Sequence, residues 1–432
     1  MDNVTHALAG VLLADLATAA VTRRTSTPVS PRFRRVATFV GVMAAELPDI
    51  DLVYAGPVLG MGKLGYLLHH RGHTHTIVWA ILGALALWSG TRWWWTRRGD
   101  PASRRPLDAD EARALLVLAL VGALSHLLLD WTNSYGVHPF WPIDNRWFYG
   151  DAVFIVEPWL WIVSIPALWW GERRPVGRIA LAAALLLIIA AMWGLGQVAP
   201  PIAAAATLLA VVGMIGHRLL PPMTRLASGV LLWVAATMLF AVSGARARAQ
   251  VTHAVRDLPL HDIVLNPAPG DPACWRAIVV TSDAVFYRVS TAVVAPWSGT
   301  TGSACAARYR SGRMSGDPLV ELADASPTVP FDTTHAAVRW GRTWAAPRAE
   351  LIAIAMERCE FAAALRFLRV PIWREDGAGV IHLSDARFGT GGGFADLDIP
   401  PAPIPCSLTS GRVLPWIPPW VPPRADVLSG GG

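Results

Sequence analysis

Long apolar runs fill the first 245 residues, separated only by short polar gaps. In a bilayer every backbone N–H and C=O must be paired within the protein, so such runs fold as helices. A spanning helix needs about 20 mostly apolar residues. Eight runs come near that length, at about 4–21, 36–53, 76–95, 114–131, 152–170, 179–195, 202–217 and 226–243. The first is short and amphipathic, and either spans or lies in the interface; the second is closed by Pro48. The expected fold is an all-α multi-pass bundle of seven or eight membrane helices, followed by a small α+β domain.

Only 16% of the residues are charged, against about 25% in soluble domains. Trp93, Trp94, Trp95, Trp131, Trp141, Trp147, Trp169 and Trp170 sit at run ends, where aromatic side chains mark the bilayer interface. The net charge of +6 lies mostly in the loops between runs, which speaks for membrane topology, and no nucleic-acid partner is expected. One set of loops, 22–35, 96–113, 171–178 and 218–225, holds fifteen basic residues; the other, 55–75, 132–151 and 196–201, holds Lys63, Arg71 and Arg146. The rich set faces the cytoplasm. The N-terminus and everything after the eighth run then lie outside; if the first run does not span, the N-terminus alone changes side. No cleavable signal peptide is expected, because the first run lacks a basic leader and contains Asp15.

Four divisions follow: a membrane part over 1–245, a polar stalk over 246–258, an α+β domain over 259–400, and a Pro/Gly-rich tail over 401–432 read without structure. Segments 277–280 and 285–289 are β-rich around a Ser282-Asp283 turn, 380–383 is a short strand, and 349–369 has helical spacing. Cys274, Cys305, Cys359 and Cys406 all lie in this part. Disulfides suit an oxidising compartment; four unpaired thiols are the alternative.

Against this frame, His69-His70-Arg71-Gly72-His73-Thr74-His75 places four histidines in seven residues directly before an apolar run. Imidazole is the commonest protein metal ligand; the plainer alternative is a polar helix start facing water. Two carboxylates, Asp49 and Asp51, follow Pro48 and can converge on one cation. His126 and Asp130 are four residues apart on a run and share a helix face, and ionisable residues in a membrane segment are functional candidates. His6 opens the first run. All of these fall on one side under a topology set by arginines, with His6 joining if the first run spans. A bundle builds a metal site from inward side chains on several helices in this way. Mixed His/Asp ligation suits Zn²⁺, with Mn²⁺ or Fe²⁺ as alternatives. Arg71, amid the ligands, is placed to hold a phosphate oxygen.

Thr5-His6, Leu47-Pro48-Asp49-Ile50-Asp51, His70 to His75 and Leu124 to Asp130 with Thr132 to Gly136 together resemble the membrane-bound metal-dependent hydrolases of the YdjM type, and at greater distance zinc-dependent phospholipase C and P1-type nucleases. The resemblance spans about the first 150 residues. It implies a bacterial inner-membrane protein with a divalent metal, of which His70 and His75 match the pattern while His69 and His73 are extras. The metal set is then His6, Asp49, Asp51, His70, His75, His126 and Asp130, with Arg71 and Glu157 supporting catalysis. Asp151 is expected to cap the fifth run, His138 to be structural, Asp385 to sit in a turn, and His253/Asp257 to repeat the His-x-x-x-Asp spacing on the stalk without joining the site.

The function these residues point to is hydrolysis of a phospho- or acyl-ester in the lipid headgroup layer at the outer face of the membrane. An ion- or metal-binding transporter is the first alternative, disfavoured because the later runs hold few charges besides Glu157. A non-catalytic envelope scaffold is the second.

Overall fold

The structure, a computed structural model, describes residues 1–56, 59, 61–97, 106–196, 198–311, 319, 335–389, 393–401 and 417–429. Helix α1 (Asn3–Thr25) starts where the Asp2 carboxylate accepts from the Thr5 backbone N–H, and α2 (Pro31–Glu46) starts where Ser30 caps Phe33. Pro48 then bends the chain into a 3-10 turn, Leu47–Asp51, and a one-turn helix α3 (Leu52–Ala55). Helices α4 (Gly62–His69), α5 (Ile77–Arg97) and α6 (Ala109–Trp131) follow, the last opened by an Asp108/Glu111 capping box. After a loop come α7 (Pro158–Trp169), α8 (Pro175–Gly194), α9 (Pro200–Leu219) and α10 (Pro222–Ala254).

Small residues set the spacing. A Cβ on Gly10 would lie 2.5 Å from the Gly41 carbonyl oxygen, so α1 and α2 cross backbone to backbone. A Cβ on Gly122 of α6 would lie 2.8 Å from that of Ala44. These approaches bring the site ends of α1, α2 and α6 together.

Among the described residues five helices are long and apolar enough to cross a membrane: α1, α6, α8, α9 and α10. That is fewer than the seven or eight expected. Helix α2 has 16 residues and α7 has 12, while the second half of α5 carries Arg92, Arg97 and four tryptophans. Leu186, Leu187, Leu208, Ile215, Leu231 and Val234 point outward from α8, α9 and α10, as lipid-facing side chains do.

The eighth run does not end in a separate polar stalk. Helix α10 continues to Ala254, with Ala247 and Val251 fully buried. Its arginines are accommodated laterally, Arg246 over the Trp297 ring and Arg248 on Asp151. The chain then enters an antiparallel sheet of β1 (Leu260–Ala268), β2 (Asp271–Ser282), β3 (Phe286–Val294) and β4 (Val338–Pro347), in that order. The two-residue period gives the sheet two buried faces. Ile263, Leu265, Trp275, Ala277 and Val279 pack toward the helices, and Val264, Ile278, Val280 and Tyr287 toward the domain's own core.

Helix α11 (Gly302–Ser311) is tied to β2 by the Cys274–Cys305 disulfide. Cys359 is disulfide-bonded as well, and Cys406 lies outside the described residues. Helices α12 (Arg348–Glu357) and α13 (Cys359–Ala364) lead to a second antiparallel sheet, β5 (Pro371–Glu375), β6 (Ile381–Asp385) and β7 (Leu397–Ile399). The tail, read without structure, includes an ordered stretch: Trp420 is completely buried and α14 (Ala425–Leu428) follows it. Leu64, Leu67 and Leu68 of α4 share one core with Phe361, Trp373 and Trp420, so the sheet domain sits on the end of the bundle that carries the histidines.

Candidate metal centre

Four elements deliver the cluster. The 3-10 turn after α2 brings Asp49 and Asp51, the α4–α5 loop brings His70, Arg71 and His75, the last two turns of α6 bring His126 and Asp130, and α1 brings His6. One ligand atom from each of Asp49, His75, His126 and Asp130 lies within 4.8 Å of the other three. The Nε2 of His75 is 3.3 Å from an Asp49 oxygen and 3.1 Å from Asp130 Oδ2; the Nε2 of His126 is 3.5 Å and 3.4 Å from the same two atoms. The two imidazole nitrogens face each other at 3.1 Å. His75, His126 and Asp130 are almost fully buried, and Asp49 has 11% of its side chain exposed.

The partners on the far sides of the rings fix the tautomers. His126 Nδ1 is 2.6 Å from the Ala45 carbonyl oxygen, which can only accept, so Nδ1 carries the proton. His75 Nδ1 is 3.2 Å from Asp51 Oδ2, the carboxylate–histidine pairing that orients a metal ligand. Both Nε2 lone pairs therefore point at each other and at two carboxylates. Asp130 Oδ2 has no hydrogen-bond donor in good geometry. A cation resolves this crowding of acceptors, and the donor set fits a divalent metal.

Asp51 has a different role from Asp49. It accepts from the Arg71 backbone N–H at 3.0 Å and the Thr74 hydroxyl at 2.6 Å, and pairs with His70 Nδ1 at 3.0 Å as well as with His75. It organises the histidine loop. A second group of Asp49, Asp51 and His70 also meets the 4.8 Å limit, with Asp49 common to both. His6 stacks on the His126 ring, centroids 3.8 Å apart, with Nε2 3.4 Å from Asp130 Oδ1; it flanks the four-residue set. The Met1 ammonium also donates to Asp130.

Arg71 lies with one guanidinium nitrogen 3.1 Å from Asp130 Oδ1 and another donating to Asn133 Oδ1 at 3.0 Å. Its φ of +65° is a left-handed conformation that costs energy for a residue with a side chain. The bond from its N–H to Asp51, and one from His138 Nδ1 to its carbonyl at 3.3 Å, hold it there.

Burial opposes a charge on His75, but the Asp51, Asp130 and Asp49 carboxylates outweigh burial and hold its pKa well above the ordinary imidazole range, so a proton takes the Nε2 lone pair whenever no cation does. His138 has only a carbonyl partner, and burial pushes it down to about 3. It lies against Trp147 and Trp420, both with centroids at 3.8 Å, which is the structural setting expected of it. His69 and His73 stand apart from the carboxylates. His73 meets Trp141 and Trp420, and burial, aided by His69, lowers it to about 4.

Glu157 is not brought to the cluster. Residues 152–157 precede the helix, which begins only at Pro158, so Glu157 caps α7 by accepting from Trp159 N–H at 3.3 Å. Its other oxygen accepts from Gly270 N–H in the β1–β2 turn. Asp151, expected at that cap, instead takes Arg369 at 2.7 Å and Arg248 at 2.9 Å. Asp385 is buried at the end of β6 and holds Arg387. His253 faces His335, and Asp257 is an exposed partner of Arg256.

Reading by residue type missed four contributors. Asn133 and Thr74 are small polar residues without a metal-ligand signature. Arg387, from the sheet domain, donates to the Ser134 carbonyl at 2.7 Å beside Asn133. Trp420 donates to the Leu68 carbonyl at 2.8 Å and covers the histidine loop.

Fold and site together define a multi-helix membrane protein with a buried His/Asp cluster at one end of its bundle. Residues 1–198 match the family model described as YdjM inner membrane protein. The match includes α1 to α8 and every residue of the cluster; the sheet domain lies beyond it. No curated protein and no solved structure matches the chain, so the likeness to phospholipase C and P1-type nucleases rests on residue spacing alone.

Proposed function

We propose that this protein is a membrane-embedded, metal-dependent hydrolase of phospho- or acyl-esters, working at the extracytoplasmic face of a bacterial inner membrane. The observation that carries this is the inward aim of two tautomer-fixed imidazoles at two carboxylates. Asp49, His75, His126 and Asp130 would hold the ion, Zn²⁺ first and Mn²⁺ or Fe²⁺ as alternatives. The ion would supply a Lewis acid and lower the pKa of a water. Asp51 and the Ala45 carbonyl orient the two imidazoles, and Arg71 sets a positive charge beside the carboxylates.

The compartment is supported by the arginine bias of the opposite loops and by the Cys274–Cys305 disulfide, which suits an oxidising environment. Placement at the helix ends, where headgroups lie, supports a lipid-derived ester as substrate over a transported ion.

The test is metal analysis of the purified full chain with His126→Ala and Asp49→Ala, assayed against phosphodiester and carboxylic ester substrates. One equivalent of metal, lost in both variants together with turnover, is the expected result. Metal bound and lost as expected, but no ester cleaved, removes the hydrolase reading. Metal content unchanged in both variants removes the site. A reporter fused after Ser243 that proved cytoplasmic would reverse the orientation.

A further inference from the structure

We propose that Arg71 and Asn133 form an anion subsite beside the metal cluster, built for the oxygens of a phosphoryl group. This rests on the metal-hydrolase reading of the same centre and narrows its substrate class to phosphoesters. Asn133 follows α6 by two residues and is 2% exposed. Its side-chain oxygen accepts twice, from Arg71 at 3.0 Å and from the Tyr135 backbone N–H at 2.9 Å. Two donors on one atom settle which end of the amide is oxygen. The NH₂ end then lies away from both, buried, with no acceptor. Arg71, 3% exposed, likewise has an Nε–H with no acceptor, although its two terminal nitrogens are engaged by Asn133 and Asp130.

Buried donors without acceptors are rare and costly. Here two occur on side chains bonded to each other, one of them touching a carboxylate of the cluster. A guanidinium and an amide offering N–H groups together suit a tetrahedral anion with several acceptor oxygens. A neutral carboxylic ester has one carbonyl oxygen to offer these donors, where a phosphoryl group has several. The sheet domain keeps the pair in place, because Arg387 holds the Ser134 and Tyr135 carbonyls next to Asn133. A phosphoryl group on a lipid and one on a soluble ester present the same oxygens.

The experiment is calorimetric titration of inorganic phosphate into the full-length, zinc-loaded protein in detergent. Asn133→Asp keeps an oxygen for Arg71 and Tyr135 but turns the donor end into a second, negative acceptor. It is expected to retain metal and to weaken phosphate by about tenfold or more. Arg71→Lys keeps the charge, removes the Nε donor and is expected to weaken phosphate in the same direction, which preserves the test if Asn133→Asp fails to fold. Phosphate binding that is absent in the parent protein, or unchanged in either folded variant, overturns the proposal. So does acetate binding as tightly as phosphate. Competition by phosphatidic acid vesicles would place the group on a lipid, and competition by glycerol phosphate alone would place it on a soluble ester; competition by neither overturns the subsite. Ester turnover with phosphate binding indifferent to Asn133 would leave the hydrolase standing without this subsite. Phosphate binding lost in Asn133→Asp, with no ester cleaved, would do the reverse.

Discussion

The helices that carry the cluster also carry buried charge at their opposite ends, and the two ends are built differently. At the far end Asp15 of α1 faces Arg34 of α2 at 3.4 Å, and Arg34 donates to the Gly171 carbonyl at 2.8 Å. Arg225 of α10 lies within the same group. One carboxylate there faces two guanidinium groups, so opposite charges meet within the chain. At the site end Asp49, Asp51 and Asp130 crowd two imidazoles whose free lone pairs point inward. A network of facing opposite charges is a fastener between helices. One with surplus acceptors is a receptacle, stable as drawn only with a proton or a cation in it.

The widest separation between the ends should come from removing a ligand. His126→Ala is expected to abolish stoichiometric metal, measured by elemental analysis, while Asp51→Asn, which loosens the histidine loop and misorients His75, should weaken metal affinity about tenfold to hundredfold. Equal losses in both would make Asp51 a direct ligand.

Next is Asp15→Ala at the far end. It should cost about 3 kcal/mol, the low end for a broken buried pair because Arg34 is 32% exposed, and leave metal content intact. Thermal melts in detergent with metal analysis check this; metal lost in proportion to stability would erase the distinction.

A smaller effect belongs to the junction of the two domains, where Arg369 takes both Asp151 and Asp262. Burial disfavours the charged Asp262, but Arg369 overrides it and lowers the carboxyl to about 2. A depressed carboxylate contributes stability above its unfolded pKa near 4, and that stability is lost as pH falls through 2. About 2 kcal/mol should disappear over that range, and Asp262→Asn should flatten the slope. An unchanged slope would mean that Asp262 is not the group responsible.

The least effect is expected at Asp144–Arg146, whose arginine is 68% exposed. Arg146→Gln should leave the melting temperature in detergent nearly unchanged and metal unaltered, although the pair lies on the site-side loop.

What could be read in the sequence follows from the range of each signal. His126 and Asp130 were legible because the helical period alone puts them on one face. Asp49 and Asp51 were legible as a pair but not in their separate jobs, which depend on who faces each one after the Pro48 turn. Glu157 looked like a site residue because hydropathy placed the fifth helix six residues before it begins; the proline that starts α7 turns Glu157 into its cap. Arg246 and Arg248 look like the end of a helix until Trp297 and Asp151 come alongside. Trp420 had no local signal, since a Pro-rich surround says nothing about a partner about 350 positions earlier.

That partner gives the molecule an order of completion. Chains are made from the N-terminus, so the helices bearing the histidines exist long before Trp420 is joined to them. Until residue 420 arrives, the Leu68 carbonyl lacks its indole and one face of His138 lacks its cover. The loop that carries His70, Arg71 and His75 thus takes part of its cover from a residue made about 350 positions later.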